Sequence, residues 1–360
     1  MRILHMFPDT NYNVPREFIK FVNENFNKEK HKFVFLNSEE SVLKLLANYE
    51  NIELTDEKQI IKLMESCDKV ILHSLFYSRS FKLKLLFSPK IMRKTFWVAW
   101  GSDLYNWDSR SKSLLKYVIN KQVEYLLRKR VRYFVGVFPP DIVVFKQQFK
   151  TQAKTFYTGY VASLNNLVYR KKLNGTCLSK KRDNHLTINI QVGHSSTPVL
   201  NHDEVLQHLL KFKDENIRIF LPLSYGNAEY GDRIEELAKQ MFEDKVICFR
   251  EMMDIDSYMD HLSKIDIAIF NTERQIGLGN IFPLLYMQKK IYMPSNSIMF
   301  KYYNSIGVSI CNYDKVINMN YDEFTKPVCG DNTQKYVRDN IINKQKKVEL
   351  WRNVFDYPME

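Results

Sequence analysis

Short apolar runs alternate with amphipathic stretches along nearly the whole chain, the pattern of strands separated by covering helices. In the first half the apolar runs fall at residues 2–7, 32–37, 69–75, 95–100, 133–138 and 155–160, each of strand length. Helical spacing fills the intervals at 15–26, 41–46, 57–66, 80–87, 111–130 and 140–149. Strands apolar on both faces, with helices between them, predict a mostly parallel sheet covered on both sides. Residues 169–184 break the pattern: they are polar and charged, without apolar period, and read as a linker. The alternation then restarts. Strands are expected at 186–192, 218–223, 245–249, 265–270 and 290–293, helices at 202–212, 232–242, 255–263 and 279–288, and a last helix over about 331–354. The prediction is two consecutive doubly wound α/β domains, residues 1–168 and 185–360, the second ending in the C-terminal helix.

Composition narrows the class. With 360 residues, 45% of them hydrophobic, the chain is long enough for two cores. Cys67, Cys177, Cys248, Cys311 and Cys329 form no Cys-x-x-Cys pair, which argues against a disulfide framework or zinc site and for a reducing compartment. No run approaches the roughly 18 apolar residues that span a bilayer. Pro8 and Asp9 stand where a secretion signal would be apolar, so a cytoplasmic protein is expected.

The net charge of +12 is unevenly placed. Residues 79–172 hold 20 Lys or Arg against four acids, so the rest of the chain is net acidic. Phe81, Phe87, Phe96, Trp97, Trp100, Tyr105 and Trp107 lie among these cations. Such a mixture suits an anionic membrane surface or nucleic acid; a solvated surface over core aromatics is the plain alternative. No helix-turn-helix, zinc-finger or RNA-binding signature supports nucleic acid.

Candidate chemistry concentrates at predicted strand ends. Residues 265–293 read as strand, polar loop with Arg274 and Gln275, glycine-bearing helix start at Gly277 and Gly279, then strand. This is how α/β proteins present backbone N–H groups to an anion, and the Arg274 fork suits phosphate. A tight strand-to-helix packing is the alternative. Gly193, His194, Ser195 and Ser196, followed by Asn201, form a second candidate anion turn, unless Ser196 or Asn201 only caps the next helix. Tyr225, after the following strand, either stacks on a base or packs on its own loop. In the first domain, Gly101 permits a sharp exit from a very apolar strand and places Asp103 at its carboxyl end. Asp103 is the first candidate for taking a proton from an acceptor hydroxyl, or for orienting that acceptor. His5, Asp9 and His73 sit near the same edge, where each is otherwise a hydrogen-bonded core or rim residue.

Two α/β domains joined by a charged linker match the GT-B glycosyltransferase layout, two facing doubly wound parallel sheets with a cleft at their carboxyl ends. Four stretches then resemble one family: Trp100-Gly101-Ser102-Asp103-Leu104-Tyr105, Val192-Gly193-His194-Ser195 with Asn201, Pro222-Leu223-Ser224-Tyr225-Gly226 with Tyr230, Glu235 and Glu236 beyond it, and Arg274-Gln275-Ile276-Gly277-Leu278-Gly279. Shorter echoes fall at His5, His73 and Asp141. The chain resembles the bacterial 4-acetamido-4,6-dideoxygalactose (Fuc4NAc) transferases of enterobacterial common antigen synthesis, also called a 4-alpha-L-fucosyltransferase family. His194 and Ile276 depart from that family's pattern, which has Asn and Gln there, and one residue is inserted before Asn201.

The resemblance implies a peripheral enzyme on the cytoplasmic side of the inner membrane, with dTDP-Fuc4NAc as donor. The implied acceptor is undecaprenyl diphosphate carrying GlcNAc and ManNAcA. It also implies diphosphate binding by a helix N-terminus and side chains, without metal or other cofactor. Arg274, Gln275, Gly277, Gly279, Ser195, Ser196, Asn201 and Tyr225 are then expected on the donor, and Asp103, His73 and His5 on the acceptor side. A related transferase with another nucleotide sugar, a nucleic-acid-binding protein and a non-catalytic docking subunit are the alternatives.

Overall fold

A computed structural model describes residues 1–8, 13–36, 49–57, 59–105, 114–160, 187–328 and 330–359. The chain divides into two compact units, Met1–Ala162 with Lys344–Glu360, and Ser163–Asn343.

The first unit is built on a 7-stranded parallel sheet. Its strands are β1 (Ile3–Phe7), β2 (His31–Leu36), β3 (Ile52–Thr55), β4 (Lys69–His73), β5 (Thr95–Ala99), β6 (Tyr133–Gly136) and β7 (Lys154–Tyr157). The spatial order is β3-β2-β1-β4-β5-β6-β7, so the winding reverses between β1 and β4. Helices α1 (Asn13–Asn25), α2 (Gln59–Ser66), α3 (Arg79–Leu86), α4 (Leu114–Arg130) and α5 (Pro139–Phe149) connect the strands. Alternate side chains of β1 serve opposite faces. Leu4 and Met6 enter a core with Val34, Met64, Phe81 and Trp97, whereas Ile3 and Phe7 enter one with Phe18, Phe33, Val135 and Trp351. Every residue of β1, β4 and β5 is buried, as a sheet covered on both faces requires.

The second unit holds a 6-stranded parallel sheet in the order β10-β9-β8-β11-β12-β13. The strands are β8 (Ile188–Val192), β9 (Ile217–Pro222), β10 (Val246–Phe249), β11 (Ile267–Ile269), β12 (Lys290–Met293) and β13 (Cys311–Asn312). Helices α6 (His202–Leu209), α7 (Ala228–Phe242), α8 (Ile255–Lys264), α9 (Leu278–Tyr286) and α10 (Ile298–Ser305) cover it. Here the winding reverses between β8 and β11. In doubly wound sheets a ligand binds beyond the carboxyl ends of the strands at such a reversal.

The doubly wound class is as expected, with β3, β13 and α10 as additions. β3 and β13 are short and only partly buried, so their sequences lack a strong apolar run. The expected helix at 41–46 and linker at 169–184 lie outside the described residues. The last helix needs correction. A short helix, Asp331–Tyr336, leads into a π-helical turn, Val337–Ile341, and only then does α11 (Lys344–Phe355) begin. That final helix packs on the first unit, not on the second as the sequence predicted. Trp351 lies 4.7 Å from the Phe18 ring and donates through Nε1 to the Gly159 carbonyl at 3.1 Å. The buried Lys69 ammonium donates to the carbonyls of Val354 and Phe355 at 2.7 and 2.6 Å, satisfying the helix end. Amphipathic spacing says that a helix needs a core; it does not say which one.

Candidate functional site

At the reversal in the second sheet, the loops leaving β8 and β11 meet. The loop after β11 ends at Gly277, the N-cap of α9, which takes a left-handed φ of 72°. A Cβ there would also lie 3.0 Å from the His194 ring. Glycine is thus required twice over, by conformation and by the imidazole packed against it. Gly279, the second residue of that helix, is different: a Cβ there would meet nothing within 4 Å. Packing does not explain that glycine: the space beside it in the first turn is open. Arg274 lies close enough to His194 to help depress its pKa.

Several buried polar atoms around this turn have no hydrogen-bond partner: His194 Nδ1, His202 Nε2, Asn271 Nδ2, Gln275 Oε1 and Ser297 Oγ. They all sit on segments leaving the carboxyl ends of β8, β11 and β12. Folded proteins rarely leave buried polar groups unsatisfied, because each costs about 1–3 kcal/mol. Burial holds His194 at about pKa 3 and His202 at about 4, so both imidazoles are neutral at pH 7. The arrangement is a set of fixed dipoles beside a helix N-terminus.

The other expected donor residues divide by role. Ser195 Oγ bonds Thr197 Oγ1 at 2.8 Å, and Ser196 Oγ donates to the Tyr225 carbonyl at 2.7 Å, so both hydroxyls shape the turn. Neither Ser196 nor Asn201 caps α6 through its side chain. Asn201, left-handed at φ 46°, instead donates through Nδ2 to the Asn271 carbonyl at 3.1 Å, tying the β8 and β11 loops together. The Tyr225 ring is 48% exposed, within 6.1 Å of the His194 ring, and presents a face to which a planar group can stack.

In the first unit the reversal between β1 and β4 carries His5 and His73. Gly101 leaves β5 with φ 91°, the sharp exit its sequence predicted. Asp103 is then buried with both carboxylate oxygens engaged. Oδ2 accepts from Leu75 N at 3.0 Å and Trp97 Nε1 at 2.8 Å, and Oδ1 accepts from Trp100 N at 2.8 Å. These bonds hold the β4 and β5 ends together beside Ser74, a non-glycine residue at φ 83°. Burial pushes the Asp103 pKa up against the pull of these donors and of Arg128. Such a carboxylate ties the strand ends together, accepting one bond at Oδ1 and two at Oδ2. Asp9 lies outside the described residues.

Asp141, in the first turn of α5, is the carboxylate with a vacancy. Tyr105 donates to Oδ1 at 2.8 Å, whereas the buried Oδ2 has no partner. Burial raises its pKa to about 7. The folded state therefore takes up a proton between its usual value near 4 and about 7, and stability falls as pH rises through that window. Asp141→Asn is expected to be more stable than the wild type above pH 7, by up to about 4 kcal/mol, and so to unfold at a higher temperature. The gap should close near pH 4. Thermal unfolding at both pH values checks this, and an equal gap at both refutes it.

The basic aromatic segment is only partly a surface. Phe81, Phe96 and Trp97 are core, Arg128 is buried, and Trp107 lies outside the described residues. What remains outside is Phe87 and, on α4, Val118, Ile119 and Leu126, on a face that also exposes Lys129 and Arg130. Sequence reasoning passes over His31, Tyr160, Asn271, His202 and Ser297. Their polarity is ordinary, and only the pairing of distant strands and loops brings them to a strand end. Among the described residues no helix is long and apolar enough to cross a membrane.

Comparison with known proteins agrees with this layout. HepE from Anabaena, solved in complex with UDP, matches with a TM-score of 0.67 at 10% identity, covering 99% of this chain and 100% of that one. A glycosyltransferase from Rickettsia africae matches with a TM-score of 0.63 at 14% identity, covering 99% of each chain. A trehalose 6-phosphate synthase from Burkholderia multivorans gives 0.57 at 9% identity over 99% of this chain and 97% of that one. Identities this low speak for the fold alone, and the fold is GT-B. A model of the family "4-alpha-L-fucosyltransferase glycosyl transferase group 56" matches residues 2–308. Two reversed-winding parallel sheets and a family match running through both place the chain in the 4-alpha-L-fucosyltransferase family, glycosyl transferase group 56, and make it a glycosyltransferase.

Proposed function

We propose that this glycosyltransferase moves Fuc4NAc from dTDP-Fuc4NAc to an undecaprenyl-diphosphate-linked saccharide carrying GlcNAc and ManNAcA, on the cytoplasmic face of the inner membrane. The observation that supports a nucleotide-sugar donor best is the group of unsatisfied buried polar atoms beside the open N-terminus of α9. A diphosphate placed there meets the first helical N–H groups and the charge of Arg274, so its charge is balanced without a divalent ion. Gln275 and His194 offer further polar contacts, Gly277 and Gly279 keep the approach clear, and Ser195, Ser196 and Asn201 hold the turns. Tyr225 takes the base or the sugar. HepE, solved with UDP and with UDP-glucose, lends support to a nucleotide-sugar donor.

On the acceptor side, Asp103 orients the β4 and β5 ends, and His5 and His73 serve the acceptor hydroxyl. The exposed apolar residues of α4, interleaved with Lys129 and Arg130, suit an anionic lipid surface, where each cation contributes about 1 kcal/mol. A groove of about 700 Å³ lined by Lys129, Arg130, Arg132, Lys146 and Lys154, with no acid, adds to that charge.

The test is mass spectrometry of the product formed from dTDP-Fuc4NAc and a lipid-linked disaccharide in anionic vesicles, with EDTA present. A mass increase of one Fuc4NAc is expected, and weaker turnover in zwitterionic vesicles. No transfer, alongside transfer from a different nucleotide sugar in a donor panel, replaces the donor assignment. His194 and Ile276, the departures from the family pattern, sit at this pocket, which keeps a related nucleotide sugar as the second reading.

A further inference from the structure

Three imidazoles cross the first sheet in hydrogen-bonded series. His31 on β2, His5 on β1 and His73 on β4 are all buried. His5 Nε2 lies 2.9 Å from His31 Nδ1, and His5 Nδ1 lies 3.1 Å from His73 Nε2. His73 Nδ1 continues to the Tyr160 hydroxyl at 2.5 Å, and Trp100 Nε1 donates to that oxygen at 2.9 Å. Strand register makes the row diagonal. His31 is level with Ile3 near the start of β1, whereas His73 closes β4 at the carboxyl end. The row thus joins the acceptor-side strand ends to the far half of the sheet.

Trp100 can only donate, so the Tyr160 oxygen accepts from the indole, and the relay directs the phenolic proton to His73 Nδ1. His73 is then protonated at Nε2 and donates to His5 Nδ1, and His5 donates from Nε2 to His31 Nδ1. Each ring is neutral, with one donor and one acceptor in series. Burial disfavours the charged form of all three, and Lys30 and Lys69 beside His31 disfavour a proton resting there. Phenylalanine fills such core positions more cheaply, since every buried polar group has to be satisfied.

From this geometry we infer that Tyr160, His73, His5 and His31 form a proton relay that carries the acceptor hydroxyl proton away from the site of transfer. The inference rests on the glycosyltransferase reading above. As the acceptor oxygen bonds to the anomeric carbon and the nucleoside diphosphate leaves with its electron pair, the hydroxyl proton passes to Tyr160 O. Tyr160 gives its proton to His73 Nδ1, His73 Nε2–H passes to His5 Nδ1, and His5 Nε2–H passes to His31 Nδ1. His31 releases its Nε2 proton to water. No imidazolium accumulates; once the products have left, the reverse shift takes a proton from water at His31 and releases one from Tyr160 to water in the emptied site, which restores the rings. Tyr160 is the catalytic residue of the set; the histidines act through it. Helix α11 positions it, with Trp351 holding the Gly159 carbonyl and Lys347 donating to the Tyr160 carbonyl at 3.0 Å.

The decisive variant is His5→Gln. A glutamine amide accepts from His73 and donates to His31, so it keeps the static bonds, but it does not pass a proton on. A relay predicts a kcat reduced about 100-fold, with donor KM unchanged and the solvent isotope effect on kcat lost. In His5→Ala, imidazole should restore turnover, whereas pyrrole should restore only the unfolding temperature. Separately, 15N spectra of histidine-labelled wild type should show three neutral rings protonated at Nε2 at pH 7. If wild type transfers sugar while folded His5→Gln keeps its kcat and isotope effect, the relay is wrong and the transferase reading stands. If wild type transfers nothing, the transferase reading fails, and the ring tautomers alone decide the relay. A charged ring, or Nδ1–H on His5 or His73, overturns it in either case.

Discussion

Replacing Trp351 with alanine is expected to destabilise the first unit, although the residue lies at the far end of the chain. Its ring is fully buried against Phe18, 6.1 Å from both Tyr160 and His73. Truncating an aromatic of that kind costs about 3–5 kcal/mol, a large share of the 5–15 kcal/mol typical of a folded protein. A stop after Asn343 should do more. Lys69 would lose the carbonyls of Val354, Phe355 and Tyr357 that satisfy its buried ammonium. Its pKa is already lowered to about 8 by burial, and a buried cation stripped of partners is costly. Limited proteolysis should cut Trp351→Ala first between β1 and β7 while the β8–β13 sheet stays protected. First cuts in the second unit would show that α11 stabilises that unit instead.

The second large effect is on the donor. Gly279→Ala adds a methyl that touches no protein atom, and alanine is the better helix former by about 0.5–1 kcal/mol. The variant should therefore fold as well as wild type or better. If a diphosphate occupies the space over α9, the same methyl should raise donor KM at least tenfold. Arg274→Ala is expected to remove a charge-assisted bond of about 1.5–3 kcal/mol and lower transfer by one to two orders of magnitude. Gly277→Ala is the contrast, because its left-handed φ and the His194 ring make it damage fold and function together. Thermal shift with dTDP, followed by turnover, separates these cases. Wild-type affinity for dTDP in both Gly279→Ala and Arg274→Ala would remove the donor site from this helix.

Much of the architecture is legible in the order of residues. Parallel strands buried on both faces carry their signal in consecutive residues, and β1, β4, β5, β8 and β12 show it. Edge strands β3 and β13 have one neighbour each and little burial, so their sequences carry almost no apolar run. The break between Ile341 and Lys344 is hidden because helical spacing continues through it. At the candidate sites, glycines are informative where the backbone needs them: Gly101 and Gly277 both have positive φ. Asp103 stands out in the sequence, but its partners do not. A carboxylate at a strand end reads the same whether it faces a substrate or three internal donors.

By itself, then, the sequence determined two doubly wound sheets and the family. Both depend on local period or on motifs of a few residues. Tertiary structure alone decided that the last helix belongs to the first unit and that His5, His31 and His73 are bonded in series. It alone showed the Asp103 carboxylate to be held by Leu75, Trp97 and Trp100, and His194 Nδ1 and Gln275 Oε1 to lack a hydrogen-bond partner. Hydrogen-bond saturation belongs to residues far apart in the chain, and one residue's polarity carries no record of which distant partner will meet it.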